Sequence, residues 1–241
     1  MMLISGFSKL TLIDFPGGVI ACEIFTQGCN MKCPFCQNSS LIDNNGNYNY
    51  TEEEIIDYLE RRKKIIDGVV ITGGEPTLQK DLIKFITDIK KVGYKVKLDT
   101  NGLRPNVLKE LLDKNLLDYV AMDIKNSFEK YDITCGVKNI LIENIKRSIE
   151  ILKHSNIDHE FRTTLIKEYH TKEDILKILD VIGNSKYYLQ NFELSNDVID
   201  KSLHGFNDYE LIEMERLLES RNTNIQIRGI KYADEGGKVY V

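Results

Sequence analysis

Three cysteines, Cys29, Cys33 and Cys36, stand within eight residues of one another. An odd number of thiols on one short loop suits a metal better than disulfides, which need paired and suitably spaced cysteines. A structural zinc site takes four protein ligands, and the sequence has no second Cys-x-x-Cys and no His pair. An iron-sulfur cluster on three cysteines leaves one iron free to bind another molecule, so the spacing favours a catalytic cluster over zinc.

Three further polar motifs each follow a short apolar run. Glycines without a Cβ let the backbone approach a ligand or take positive φ, and carboxylate, hydroxyl and ammonium groups can bind a polar cofactor. Each motif alone could be a turn or a helix cap. Their repeated place after a strand makes them candidate binding residues. The motifs are Gly73-Gly74-Glu75-Pro76, Asp99-Thr100-Asn101-Gly102 and Asp123-Ile124-Lys125.

The elements that must position these groups alternate along the chain. An apolar run over 19–25 predicts a strand that delivers the cysteines to its carboxyl end. Helices are predicted after capping signatures at Thr51 and Thr171, from Pro105, and around apolar stripes containing Leu82, Ile142 and Leu211. Further strands are predicted at 67–72, 94–98, 119–124, 160–165 and 187–192, with an edge strand at 225–230 and a lead-in hairpin or arm at 5–18. This alternation predicts an α/β fold with a parallel sheet, either open and doubly wound or a partial barrel.

Composition excludes several classes of protein. The 241 residues suit one domain, 1–241, with its core at roughly 17–230. A net charge of −5 argues against broad nucleic-acid binding, and no apolar run is long enough to span a bilayer. The N-terminus lacks the features of a signal peptide, and reactive thiols favour a reducing compartment, so we expect a cytoplasmic protein.

The motifs resemble those of the radical S-adenosylmethionine superfamily. Its signature is Cys-x3-Cys-x2-Cys with an aromatic residue, here Phe35, before the last cysteine, and its second motif is matched by Gly73 to Pro76. The resemblance implies a partial (β/α)6 barrel and a [4Fe-4S] cluster on the three thiolates. It also implies that S-adenosylmethionine binds the fourth iron and is cleaved by one electron to methionine and a 5′-deoxyadenosyl radical.

Motifs later in the chain resemble those of the activating enzymes of glycyl-radical enzymes. This resemblance spans roughly residues 5 to 230. The segments 161–170 and 189–192 most resemble activators of anaerobic ribonucleoside-triphosphate reductase. The implied partners are a glycyl-radical enzyme, as protein substrate, and an electron donor such as flavodoxin or ferredoxin. A monovalent cation is expected near Asp99 and Asp123. The cofactor-binding residues implied by the resemblance are Phe35, Gln37, Gly73, Gly74, Glu75, Asp99, Thr100, Asn101, Asp123, Lys125, Arg162 and Gln190.

Other functions remain open at this point. Pyruvate formate-lyase activators carry a histidine near the position of Gln190, which weakens that alternative. A radical enzyme of the 7-carboxy-7-deazaguanine synthase type would act on a small molecule instead. A cluster-bearing electron-transfer module would leave Gly73 to Pro76 unexplained. Cys22 and Cys135 are expected to be packing residues, and the four scattered histidines to be surface or capping residues.

Overall fold

The computed structural model describes residues 1–43, 48–219, 221 and 224–230. Strands and helices alternate along these residues, which confirms the predicted α/β class. In chain order the elements are β1 (Ile4–Thr11), β2 (Ala21–Thr26), α1 (Glu52–Arg62), β3 (Gly68–Gly73), α2 (Leu82–Val92), β4 (Lys95–Thr100), α3 (Pro105–Asp113), β5 (Tyr119–Asp123), α4 (Tyr131–Cys135), α5 (Ile142–Lys153), β6 (Asp158–Leu165), α6 (Lys172–Ile182), β7 (Lys186–Asn191), α7 (Asp208–Glu219) and β8 (Ile225–Arg228).

Local sequence explains where the helices begin and end. The capping box predicted at Thr51 is formed with Glu54, and the one at Thr171 is formed with Asp174. Pro105 occupies the first turn of α3, and Gly93 ends α2 in the left-handed conformation. The helix starts and stops predicted from these residues are therefore confirmed.

The chain forms two compact units, each built from separate stretches. The first comprises Met1–Asn30, Ser40–Ala121 and Asn144–Asp158. Its strands lie in the order β1-β2-β3-β4; β1 is antiparallel to β2, and β2, β3 and β4 are parallel. The predicted lead-in is thus the outer strand of a hairpin. The middle of β3, Val69 to Ile71, is fully buried, as is typical of a strand in a parallel sheet covered on both faces.

The second unit comprises Met31–Ser39, Met122–Glu143 and the described residues from His159 onward. Here β6, β7 and β8 are parallel neighbours in that order. The end of β5 lies beside β6, because the Ile124 amide donates to the Arg162 carbonyl at 2.8 Å. The single-domain assignment of residues 1–241 stays a prediction. Among the described residues, no helix combines the length and hydrophobicity that crossing a bilayer requires.

Candidate active site

In the first unit, the loops that leave β2 and β3 are in direct backbone contact. Thr26 and Gly73 are register partners, and the Glu75 amide donates to the Gly28 carbonyl at 2.8 Å. A Cβ at Gly74 would lie 2.2 Å from the Gly28 carbonyl oxygen. Gly73 has φ +110°, and its Cβ would lie 2.3 Å from the Thr26 amide nitrogen. Both glycines are therefore required by the packing of the protein on itself, apart from any ligand.

The contact with Gly28 matters because this loop leads directly into Cys29. The Gly28 amide donates to the Leu41 carbonyl at 2.7 Å, and the Cys29 amide donates to the Ile42 carbonyl at 3.0 Å. The Cys29 side chain is half-buried and forms no disulfide. The backbone of the first cysteine is thus fixed by hydrogen bonds to the segment at Leu41 and Ile42.

The side chain of Glu75 is buried and hydrogen-bonded within its own unit. Its side chain is 1% exposed, and its two carboxylate oxygens accept hydrogen bonds from the Thr77 amide and hydroxyl, the Thr100 hydroxyl at 2.8 Å and the Asn101 amide at 2.7 Å. Burial raises the pKa of Glu75 even though these donors act in the opposite direction. Glu75 ties the loop after β3 to the end of β4, and its predicted contact with a cofactor stays a prediction.

Thr100 and Asn101 also serve the protein itself. Both side chains are buried. The Thr100 hydroxyl accepts from the Gly102 amide in addition to its bond to Glu75, and Asn101 donates from Nδ2 to Asn30 Oδ1 at 2.7 Å. Asn30 follows Cys29 in the sequence, so these two residues support the start of the cysteine loop. Their predicted contact with a cofactor stays a prediction.

Asp99 lies on the half-buried face of β4 and already has a cationic partner. Lys97, which is 2% exposed, donates from Nζ to Asp99 Oδ1 at 2.5 Å, and the Thr72 hydroxyl lies 3.3 Å from Oδ2. Burying a lysine is unfavourable unless a carboxylate accompanies it, which explains the pairing.

Glu23 joins this group from β2. Glu23, Val70 and Lys97 are register partners across three parallel strands, so their side chains project from the same face. The Asp14 carboxylate is among the negative charges close to Glu23. Burial raises the pKa of Glu23 to about 7, with further contributions from the negative charges of Asp14 and Asp99. Sequence reasoning missed this cluster, although a glutamate in the apolar run over 19–25 was a signal.

The raised pKa of Glu23 predicts a pH-dependent stability. Because the pKa in the folded state, about 7, exceeds the ordinary 4.5, protonation favours the folded state. The free energy of unfolding should therefore fall as the pH rises from about 5 to about 8, and Glu23→Gln should flatten this dependence. Urea unfolding at a series of pH values measures it. The exposed Glu60→Gln is the matched control, and identical slopes for both variants would contradict the prediction.

In the second unit, Asp123, Lys125 and Arg162 form an ion-pair cluster. Lys125 Nζ donates to one oxygen of Asp123 and Arg162 Nε to the other, each at 2.9 Å. Burial opposes the ionisation of Asp123, but the charges of Arg162 and Lys125 outweigh it and hold the pKa of Asp123 below its ordinary value. Burial also opposes the charge on Lys125, and the Asp123 carboxylate still raises the pKa of Lys125.

Phe35, the aromatic residue of the cysteine motif, lies beside this cluster. Lys125 Nζ is 6.0 Å from the centre of the Phe35 ring, a cation–π distance. The structure thus brings four predicted site residues of the second unit together. They are Phe35, Asp123, Lys125 and Arg162.

The monovalent cation expected near Asp99 and Asp123 stays a prediction. Asp99 and Asp123 are each neutralised by side chains of their own unit, namely Lys97 for the first and Lys125 with Arg162 for the second. Within the part of the chain that the structure describes, no three His, Cys, Asp or Glu side chains are arranged around the position of one metal ion. A cluster distributes its thiolates over separate iron atoms, so its ligands need not converge in this way.

The second part of the cysteine loop is held by α4, which the sequence did not predict. Cys33 is buried, Cys36 is half-buried, and the Cys36 amide donates to the Cys33 carbonyl at 3.0 Å. The Lys32 amide donates to the Cys135 carbonyl at 2.9 Å. A Cβ at Gly136 would lie 2.1 Å from the Lys32 carbonyl oxygen. The Cys135 side chain is expected to be a packing residue, and its backbone carbonyl also positions the cysteine loop.

The thiols have different environments. Burial raises the pKa of Cys36, while the Asn38 amide and the Lys125 charge lower it. Burial raises the pKa of Cys22 to about 12, which makes that thiol unreactive. Cys22 and Cys135 are both fully buried, so their prediction as packing residues is confirmed.

A segment after β7 crosses the cysteine loop. The Gln37 side-chain amide donates to the Glu193 carbonyl at 2.9 Å, the Ser39 hydroxyl bonds to the Asp197 carbonyl, and the Asp200 amide donates to the Pro34 carbonyl at 2.9 Å. Gln37 thus anchors this segment. Gln190 lies near the end of β7 as a register partner of Thr164 and Arg228, and its side chain is half-buried.

Among the histidines, His170 departs from its expected surface or capping role. It is 3% exposed, and its Nε2 lies 2.8 Å from the Lys125 carbonyl oxygen. His154 and His204 are exposed, as expected; His154 lies 2.9 Å from the Glu150 carbonyl oxygen, and His204 lies 2.8 Å from a carboxylate oxygen of Glu168. His159 packs edge-on against Phe161.

Comparisons with known proteins agree with these motifs. The family model described as Radical SAM superfamily matches residues 24–182. A protein of Methanocaldococcus jannaschii, provisionally named a glycyl-radical enzyme activating enzyme, is 38% identical over 239 residues, which are 95% of this chain and 96% of the relative. The pyruvate formate-lyase-activating enzyme of Clostridium pasteurianum is 28% identical over 88% of this chain and 87% of its own. The structure of Streptococcus suis SuiB bound to the precursor peptide SuiA is similar in fold, with a TM-score of 0.66 and 18% identity over 84% of this chain and 47% of that one.

Proposed function

The chain belongs to the radical S-adenosylmethionine superfamily, and from this premise we propose that it activates a glycyl-radical enzyme by removing a hydrogen atom from a backbone glycine. It is an enzyme that uses a [4Fe-4S] cluster and S-adenosylmethionine, as this superfamily does. The observation that carries the proposal is the similarity to the M. jannaschii relative over nearly the full length of both chains. The ion-pair cluster at the end of β5 supports it with chemistry suited to the cofactor.

Cys29, Cys33 and Cys36 are the proposed cluster ligands. None of the three forms a disulfide, and each stands on backbone that other parts of its own unit hold in place. When bound, the cluster and S-adenosylmethionine supply one-electron cleavage of the sulfonium and hence the abstraction of a hydrogen atom. The protein contributes fixed ligands, and the half-buried Cys29 and Cys36 keep the thiols accessible to iron.

Lys125 and Arg162 are the proposed partners of the S-adenosylmethionine carboxylate. Both side chains carry cationic N–H donors, and charge-assisted hydrogen bonds to a carboxylate are among the stronger ones in proteins. Lys125 has three N–H donors, and its bond to Asp123 leaves others for a ligand. Asp123 orients both cations, and the Phe35 ring limits where the ammonium group can move. The proposed S-adenosylmethionine contacts in the first unit are the backbone at Gly73 and Gly74 and the side chain of Asp99.

The proposed partner is an anaerobic ribonucleoside-triphosphate reductase. The support for it is the sequence of 161–170 and 189–192 and the glutamine, rather than histidine, at position 190. The glycine would be presented by the partner on a segment that leaves its own site, which costs ordering free energy and makes the encounter weak or slow. We place the protein in the cytoplasm, with a flavodoxin or ferredoxin as electron donor and no role for nucleic acid.

The test mixes the reduced, cluster-loaded protein with S-adenosylmethionine and an anaerobic ribonucleotide reductase. A stable glycyl radical should appear by electron paramagnetic resonance. Deuterium placed at the target glycine should be found in 5′-deoxyadenosine. A reductase with that glycine changed to alanine is the control and should give no signal.

Two outcomes would redirect the assignment. A radical on pyruvate formate-lyase, with none on the reductase, would change the partner and keep the reaction. Deuterium transfer from a small pterin-like substrate, with no protein radical, would contradict the proposed function.

A further inference from the structure

Lys125 is held by its backbone as well as by its side chain. Its amide donates to the Tyr131 hydroxyl oxygen at 3.2 Å, and its carbonyl oxygen lies 2.8 Å from His170 Nε2. Tyr131 is fully buried and His170 is 3% exposed. The residue before Lys125 is fixed too, because the Thr163 hydroxyl donates to the Ile124 carbonyl at 2.7 Å. Both polar backbone groups of Lys125 are therefore bonded to buried side chains.

The tautomer of His170 follows from its other nitrogen. The Ile166 amide donates to His170 Nδ1 at 3.1 Å, so Nδ1 acts as the acceptor. The proton of a neutral ring is then on Nε2, which donates to the Lys125 carbonyl. Burial lowers the pKa of His170, so the ring remains neutral near neutral pH.

The position of His170 explains why this bond matters. His170 lies between the end of β6 and the Thr171 cap of α6, and β6 also carries Arg162. The loop after β6 therefore fixes the Lys125 backbone, while the strand itself fixes Asp123 through Arg162. If the backbone of Lys125 were displaced by a fraction of an ångström, its ammonium group would move away from a bound carboxylate.

We propose that His170 is a positioning residue for S-adenosylmethionine binding, acting through its hydrogen bond to the Lys125 carbonyl. This inference rests on the proposed role of Lys125. His170 touches neither the cofactor nor the cluster in this assignment. Its effect on binding should therefore disappear when the Lys125 side chain is absent.

The test compares two amides at position 170. In His170→Gln the side-chain amide can reach the place of Nε2 and still donate to Lys125, whereas in His170→Asn it reaches only the place of Nδ1. Equilibrium dialysis of the anaerobic, cluster-loaded protein should show roughly tenfold weaker S-adenosylmethionine binding for His170→Asn and near-native binding for His170→Gln. Iron content should be unchanged in both. The exposed His204→Asn is the matched control.

A double-mutant cycle with Lys125→Ala distinguishes positioning from general damage. The His170→Asn effect should vanish in the Lys125→Ala background, and a persisting effect, or equal binding by the Asn and Gln variants, would overturn the inference. If Lys125→Ala alone leaves binding unchanged, the proposed role of Lys125 fails, and this inference fails with it. If Lys125→Ala weakens binding but His170→Asn does not, only this inference fails.

Should His170→Asn not fold, native affinity for S-adenosylmethionine in His170→Gln supports the inference, and a tenfold loss of that affinity overturns it.

Discussion

Alanine at any one of Cys29, Cys33 or Cys36 will abolish assembly of the [4Fe-4S] cluster and all cleavage of S-adenosylmethionine. The site has only three thiolates, and no other cysteine of the described chain is exposed enough to replace one. Anaerobic reconstitution with iron and sulfide, followed by metal analysis and measurement of 5′-deoxyadenosine, should give background values for each variant.

Cys22→Ala and Cys135→Ala are the matched controls. Both thiols are fully buried, and the hydrogen bond that Cys135 gives to the cysteine loop comes from its backbone carbonyl, which alanine retains. Both variants should keep a full complement of iron. A complete cluster in Cys33→Ala, or tight stoichiometric zinc without iron, would contradict the assignment.

Gly74→Ala is expected to lower both the melting temperature and the iron content. The added Cβ would lie 2.2 Å from the Gly28 carbonyl oxygen, so the loop that leads into Cys29 must shift. Overpacking of this kind costs about 1–3 kcal/mol, which corresponds to a loss of several degrees in melting temperature. Calorimetry and metal analysis of the reconstituted variant measure the two effects.

Gly93→Ala separates crowding from backbone strain. Gly93 has φ +108°, but a Cβ there meets nothing within 4 Å. The Gly93→Ala variant should therefore lose stability only through backbone strain, and it should keep its full iron content. If Gly74→Ala instead retained all its iron and lost only affinity for S-adenosylmethionine, ligand approach rather than loop packing would explain this glycine.

Much of the fold follows from local pattern. The sequence located the strands from β2 to β8, because each carries apolar, aromatic or β-branched residues and lies between predicted helices or turn residues. The capping boxes at Thr51 and Thr171 fixed two helix starts, because side-chain caps act within one turn. The five-residue α4 was missed, since so short a helix has no apolar period and is held by its contact with Lys32.

The site was less predictable because the direction of a side chain depends on tertiary packing. Glu75 and Asp123 are both carboxylates just after or at the end of a strand, yet the first is enclosed by protein donors and the second pairs with two cations. Sequence spacing could not separate these roles. His170 belongs to no motif, and only the fold brings its ring to the carbonyl of Lys125.

The contact between Lys32 and the Cys135–Gly136 turn has a consequence for how the protein is made. The cysteine loop leaves the ribosome early, whereas the turn that secures it is synthesised much later in the chain. Translation proceeds at about 5–20 residues per second, so the nascent thiols spend several seconds without that support. During this interval they are open to oxidation and to stray metals. We therefore expect protein produced in air to carry damaged or mismetallated cysteines, and iron delivery to be productive only after translation has passed Gly136.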